Sequence, residues 1–187
     1  MAVQSRSLTY TDLLRIRETR DERLELIDGE LFVTPSPSPL HQYVSGRLEF
    51  LFRQLVLGLG YGLLFSAPLD VKLAENAVVQ PDLILYLPDR RPQVTTTAVV
   101  GVPSLVIEIL SPSTRTYDLE TKRRLYAEHG VPENWVVDTQ SHSVAVCSDP
   151  REGKYRSERV STDMATSVLI PDFAVDLDEL FAPIPDA

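Results

Sequence analysis

Apolar positions along this chain follow two periods. From Ser38 to about Leu57 they recur three and four apart, at Leu40, Tyr43, Val44, Leu48, Leu51, Phe52 and Leu55. That spacing predicts one long helix with a single apolar face. Ser38 is placed to cap it with Pro39 in its first turn, and Gly58 and Gly60 end it. Shorter helices are predicted from about Thr11 to Glu18, from about Asp118 to His129 before Gly130 and Pro132, and at Leu177–Phe181. Elsewhere the pattern is that of strands. Leu24–Ile27 and Glu30–Val33 flank Asp28-Gly29, a two-residue turn in which both residues tolerate positive φ. Tyr61–Ala67 and Leu69–Leu73 read as strands joined at Pro68, and Glu75-Asn76 turns the chain into the strand that opens at Pro81-Asp82. Ser104–Leu110 and Trp135–Asp138 follow. Ser143–Cys147, Tyr155–Val160 and Thr166–Leu169 come last, with turns at Asp149-Pro150 and Glu152-Gly153. Pro88–Gly101 reads as a loop carrying Arg90 and Arg91.

Helix, hairpin, long helix, a run of strands, helix and more strands make an α/β class with a mixed sheet flanked by helices. The strand content between residues 61 and 110 argues against a doubly wound nucleotide fold, and neither phosphate-cradling glycine motif occurs. At 187 residues, with no repeat and no long linker, the expectation is a single domain with its core at about residues 20–180.

Charge narrows the function. The formal net charge of −9 argues against coating nucleic acid, because neutralising phosphates supplies much of such affinity. It leaves room for an enzyme whose site gains positive charge from a metal. The acidic excess is spread along the chain, with a cluster at the end at Asp172, Asp176, Asp178, Glu179 and Asp186. Cys147 is the lone cysteine, so neither an intrachain disulfide nor a cysteine-cluster zinc site is available. No apolar run reaches the roughly 20 residues that span a bilayer, and Met1–Arg6 lacks a signal-peptide core, so a cytoplasmic location without membrane partners is expected.

Two acids stand out against this background. Asp82 opens the run Leu83-Ile84-Leu85-Tyr86-Leu87, and Glu108 lies inside Leu105-Val106-Ile107-Glu108-Ile109-Leu110. Alternation puts Val106, Glu108 and Leu110 on one face of that strand. A buried unpaired carboxylate costs several kcal/mol or takes a proton. Two on neighbouring strands make sense with a hard divalent cation between them, which prefers oxygen ligands. Helical spacing puts Leu119, Lys122, Tyr126 and His129 on one side, facing the sheet, where the Asp82/Glu108 pair would be the partner of Lys122.

Pro81-Asp82 followed by Glu108-Ile109-Leu110 resembles the PD-(D/E)XK nuclease superfamily. Further segments look like one branch, the Uma-type family of restriction endonucleases. They are Glu25-Leu26-Ile27-Asp28-Gly29-Glu30-Leu31, Pro35-Ser36-Pro37 with His41, Gln80-Pro81-Asp82-Leu83, Val106 through Thr114, Lys122 with Tyr126, and Gly130-Val131 before Trp135. The resemblance spans about residues 20–180 and implies a restriction-endonuclease-like fold. It implies a metal-dependent endonuclease that hydrolyses phosphodiester bonds, with DNA as substrate. Asp82 and Glu108 would ligate Mg²⁺ or Mn²⁺, and Lys122 would complete the catalytic set by polarising the attacking water. The superfamily places its lysine two residues after the glutamate, where this chain has Leu110. In the Uma-type branch it has moved to the next helix, matching Lys122. Glu25, His41 and Gln80 carry over as auxiliary residues. Relatives that cut both strands often pair up, so the resemblance also raises a homodimer.

Two other readings stand beside this one. A non-catalytic interaction module would keep the fold and pair the buried acids with Lys122. A hydrolase of small phosphoesters would use the same groups on another substrate. Residue by residue, Asp82 could cap local backbone, Lys122 could be a surface lysine beside Arg123 and Arg124, and His41 a polar helix-face residue.

Overall fold

The computed structural model describes residues 7–60 and 62–184. The reading of Met1–Arg6, Tyr61 as the first residue of a strand, and Asp186 lie outside the described residues. Helix α1 (Tyr10–Arg17) leads into the hairpin of β1 (Arg23–Ile27) and β2 (Glu30–Thr34), then helix α2 (Pro39–Leu59). Strands β3 (Leu63–Ser66), β4 (Val71–Ala74), β5 (Ala77–Val79) and β6 (Leu83–Tyr86) follow, then the short β7 (Gln93–Val94) and β8 (Val99–Val100). After β9 (Leu105–Leu110) come a π-helical turn (Tyr117–Lys122) and α3 (Arg123–Glu128). The chain continues through β10 (Glu133–Asp138), β11 (Ser143–Arg151), β12 (Lys154–Ser161), β13 (Met164–Thr166), β14 (Ala174–Asp176) and α4 (Leu177–Leu180).

The strands form two six-stranded sheets and a two-stranded ribbon. One sheet runs β2-β1-β5-β4-β8-β7; the other runs β12-β11-β10-β9-β6-β3, with β9 and β10 parallel. Alternation along each strand sorts side chains into three apolar layers. Leu24, Leu26 and Val78 of the first sheet meet Tyr10 and Leu13 of α1. On its other face Ile27, Val71 and Val79 meet Ile84, Tyr86 and Val106 of the second sheet, together with Leu125 and Tyr126 of α3. The far face of the second sheet, with Leu83, Leu85, Ile107, Ile109 and Trp135, buries Val44, Leu48 and Phe52 of α2 and the C-terminal Val175, Leu177 and Leu180.

The caps act as the sequence implies. Thr9 and Asp12 form a capping box on α1, and Ser38 accepts from the His41 N–H at the start of α2. Asp28 and Gly29 take φ of 53° and 79°, as the β1–β2 turn requires.

Three expectations are corrected. Residues 88–101 hold a 3-10 turn at Pro88–Arg90 and the β7–β8 hairpin, whose strands of two residues are too short to show a period. Asp149-Pro150 is no turn. Both residues lie within β11, where Asp149 takes a φ of 57°. The strands expected on either side of Pro68 are present but belong to different sheets: β3 joins β6 in one and β4 joins β5 in the other. The stretch into Asp82 is likewise two strands. The chain leaves the first sheet after Val79 and enters the second at Leu83, so Gln80-Pro81-Asp82 bridges the sheets. Pro81 lacks the N–H a continuous ladder would use.

Candidate active site

The cross-strand register explains how the acids meet. β6 and β9 are antiparallel neighbours, pairing Leu83 with Ile107, Ile84 with Val106 and Leu85 with Leu105. One further step sets Asp82 opposite Glu108, and opposed residues of an antiparallel pair share a face. Asp82 ends the ladder by accepting the Ile109 N–H on Oδ2 at 2.7 Å. Both acids line one small cleft, which encloses about 50 Å³ open to a water-sized molecule. That is room for a few waters, since one occupies roughly 10–15 Å³ on this measure.

Lys122 lies at the base of the cleft, 4% exposed. Its ammonium is 3.0 Å from Glu25 Oε1, 3.2 Å from Glu108 Oε1 and 3.8 Å from Asp118 Oδ1. The expected partner was the Asp82/Glu108 pair, and half of that is corrected. Glu25 takes the place of Asp82, whose Oδ2 instead faces His41 Nε2 at 3.2 Å. Glu25 arrives by alternation, because Leu24 and Leu26 turn to α1 and leave it facing the second sheet. It also accepts the Gln80 N–H at 2.6 Å and the Tyr117 hydroxyl at 2.9 Å. Gln80 thus meets the lysine cluster through its backbone. Its side chain donates to Asp70, which is in turn paired with Arg17.

His41 is buried, at 9% exposure. The helical spacing put Leu40 on the inner face of α2, yet Leu40 is 46% exposed and the inner stripe begins at His41, three residues before Val44. Burial lowers the imidazole pKa, but the hydrogen bond and charge of Asp82 outweigh it, and the net shift is upward. His41 Nδ1 is buried without a partner among the described residues.

Sequence reasoning missed Asp118, Tyr117 and Thr114. A regular helix would turn Leu119 to the sheet. The π-helical turn widens the coil so that the Arg123 N–H reaches Asp118 O, and Asp118 joins Lys122 on the buried side. The available signal was the four-residue spacing of Asp118 and Lys122. Arg23 also lines the cleft, with Nε and Nη2 each 3.4 Å from Gln80 Oε1.

The electrostatics follow from four acids around one lysine. Burial would deprotonate Lys122, but the charges of Glu108, Glu25 and Asp118 raise its pKa and keep it cationic. Burial drives the Glu108 carboxyl well upward, Lys122 opposes this, and Asp118, Asp82 and Glu25 add to it. Asp118 is pushed up to about 6, again by burial against the pull of Lys122 and the Thr114 hydroxyl. Four carboxyl groups thus act on one buried ammonium, and burial pushes two of them, Glu108 and Asp118, toward keeping a proton.

The donors also leave specific oxygens free. Tyr126 and Lys122 both act on Glu108 Oε1, and Ile109 N–H and His41 both act on Asp82 Oδ2. Glu108 Oε2 and Asp82 Oδ1 take no hydrogen bond from the described residues. Neither is among the buried unpartnered side-chain atoms, so both keep access to the cleft. Two open carboxylate oxygens fit a hard cation that retains much of its water shell. Among the described residues no cage of three or more His, Cys, Asp or Glu side chains is arranged around a metal position, as a closed structural site would require.

An uncharacterized protein of Synechocystis sp. is 28% identical over 131 residues, which cover 70% of this chain and 67% of that protein. A crystal structure described as "a putative nuclease belonging to DUF820", from Anabaena variabilis, superposes with a TM-score of 0.74. It covers 93% of this chain and 97% of its own at 20% identity, a likeness of fold. Residues 10–178 match the Uma2 family, described as "Putative restriction endonuclease", and the chain belongs to that family.

Proposed function

We propose that this protein is a divalent-metal-dependent nuclease that hydrolyses phosphodiester bonds in DNA. One observation carries the reading: Glu25, Glu108 and Asp118 surround a single buried ammonium beside a cleft that Asp82 also lines, with Asp82 Oδ1 and Glu108 Oε2 left open. Asp82 and Glu108 would hold Mg²⁺ or Mn²⁺. When bound, the ion lowers the pKa of a coordinated water and shields charge on the phosphate. The chain's own residues do the rest. Ile109 N–H and His41 fix Asp82, and Tyr126 fixes Glu108. Glu25, itself held by Gln80 N–H and Tyr117, aims the Lys122 ammonium at the cleft, where it stabilises a water or a phosphate oxygen.

Calorimetric titration of Mn²⁺ and Mg²⁺ into the wild type and Asp82→Ala tests the metal. Binding in the millimolar range or tighter, lost in the variant, is the expected result. Mn²⁺-dependent cleavage of duplex DNA, single strands and a small chromogenic diester tests the substrate, with DNA expected to be preferred. A different observation favours a second reading, a non-catalytic module. Lys122 already neutralises part of the Glu108 and Glu25 charge without a metal. A wild type that binds no divalent ion in the millimolar range and cuts nothing would establish that reading instead.

A further inference from the structure

Ser111-Pro112-Ser113-Thr114 has no part in the reading above, yet its hydroxyls form an ordered chain that ends on Asp118. Thr114 Oγ1 donates to Asp118 Oδ2 at 2.7 Å. A hydroxyl carries one proton, so in its 2.8 Å contact with Ser111 Oγ, Thr114 must accept. Ser111, its own proton committed, accepts from Ser113 Oγ at 3.1 Å. Every donor therefore points toward Asp118, whose carboxylate plane is held from the Oδ2 side. The opposite oxygen, Oδ1, faces Lys122 Nζ at 3.8 Å. That gap is too long for a hydrogen bond and short enough for one water to contact both atoms, lying off the line between them. Asp118 and Lys122 both line the cleft with Asp82 and Glu108.

We propose that Asp118 is the general base of the site, taking the proton of the attacking water held between its Oδ1 and Lys122 Nζ. This rests on the nuclease reading. The water oxygen bonds to phosphorus and its proton passes to Asp118 Oδ1. The bond from phosphorus to the leaving sugar oxygen breaks, and that oxygen takes a proton from solvent water. With Oδ2 committed to the Thr114 hydroxyl, Oδ1 is the carboxylate oxygen left to accept the proton. The charged and titratable groups facing it are Lys122, Glu25, Asp82, Glu108, His41 and Tyr117.

The test compares wild type, Asp118→Asn and Thr114→Val in Mn²⁺-dependent cleavage of duplex DNA, with Mn²⁺ calorimetry on each. For Asp118→Asn, kcat is expected to fall roughly 100-fold or more with KM and Mn²⁺ affinity unchanged, and the deficit to shrink above about pH 9, where hydroxide needs no base. Thr114→Val keeps the base but loses its orienting donor, and is expected to lose about 10-fold in kcat, again at unchanged Mn²⁺ affinity. If Asp118→Asn does not fold, Thr114→Val decides alone. Wild-type kcat in the folded variants would overturn the proposal and leave the nuclease reading intact. Loss of Mn²⁺ binding in Asp118→Asn would overturn it too, making Asp118 a ligand. A wild type that never cleaves overturns both.

Discussion

Two acids on neighbouring strands are equally buried and treated in opposite ways. Glu133 opens β10 at 0% exposure and Glu108 lies within β9 at 4%. Glu133 has no cation among its hydrogen-bond partners. It accepts from the Trp135 indole, the Ser167 hydroxyl and the backbone N–H groups of Val168 and Leu169, so both of its oxygens are engaged. It ties the segment after β13 to the second sheet. Glu108 has two donors crowded on one oxygen and the other turned to a cleft. Burial alone therefore does not mark a functional acid. What sets Glu108 apart is an oxygen left without a donor, in a place where other acids crowd it.

The comparison can be broken in four ways, taken from the largest effect downward. Glu108→Gln should abolish Mn²⁺-dependent cleavage and Mn²⁺ binding while leaving the thermal midpoint the same or higher, because it keeps an oxygen for Tyr126 and Lys122 and removes a carboxyl whose charge burial disfavours. A large fall in midpoint would make Glu108 a structural acid like Glu133. Glu133→Ala should do the reverse. It strands its donors inside the protein and costs about 3 kcal/mol or more in urea unfolding, with activity per folded molecule unchanged. The third concerns pH. Asp118 moves from its ordinary 3.8 to about 6 on folding, so the folded state keeps a proton that the unfolded chain releases. Native stability is thus lost as pH rises from about 4 to about 6, and the penalty stays in place above that range. Urea unfolding in the presence of chelator should show Asp118→Asn gaining on wild type by about 3 kcal/mol across this window. A constant difference between the two would contradict the shift. Last, Arg124→Ala removes a cation paired with Asp28 and Glu128 at the surface, and should cost about 1 kcal/mol or less. A larger cost would mean that exposed pairs here matter as much as the buried cluster.

Much of this was legible in the residues, for identifiable reasons. The β1–β2 hairpin follows from Asp28-Gly29, α2 from its period and Ser38 cap, and the face of Glu108 from strict alternation along β9. The convergence of Asp82 and Glu108 in one cleft was also foreseeable, because a buried acid needs a partner. What escaped depends on tertiary context. Glu25 displaces Asp82 as the partner of Lys122 because the first sheet folds over the second, and that is not a local property. Asp118 replaces Leu119 because the coil widens for one turn, which shifts every later position relative to a regular helix. The β7–β8 hairpin is too short to register as a pattern.

The crossing at Gln80-Pro81-Asp82 has a consequence for how this protein loses activity. Glu25 belongs to one layer and Glu108 to the other, Gln80 and Asp82 lie at the crossing, and Lys122 is clamped between a carboxylate from each layer. Any loosening of one layer from the other pulls the cluster apart before either layer unravels. Inactivation on heating should therefore precede the loss of secondary structure, with the chemistry reporting on whether the two halves remain docked.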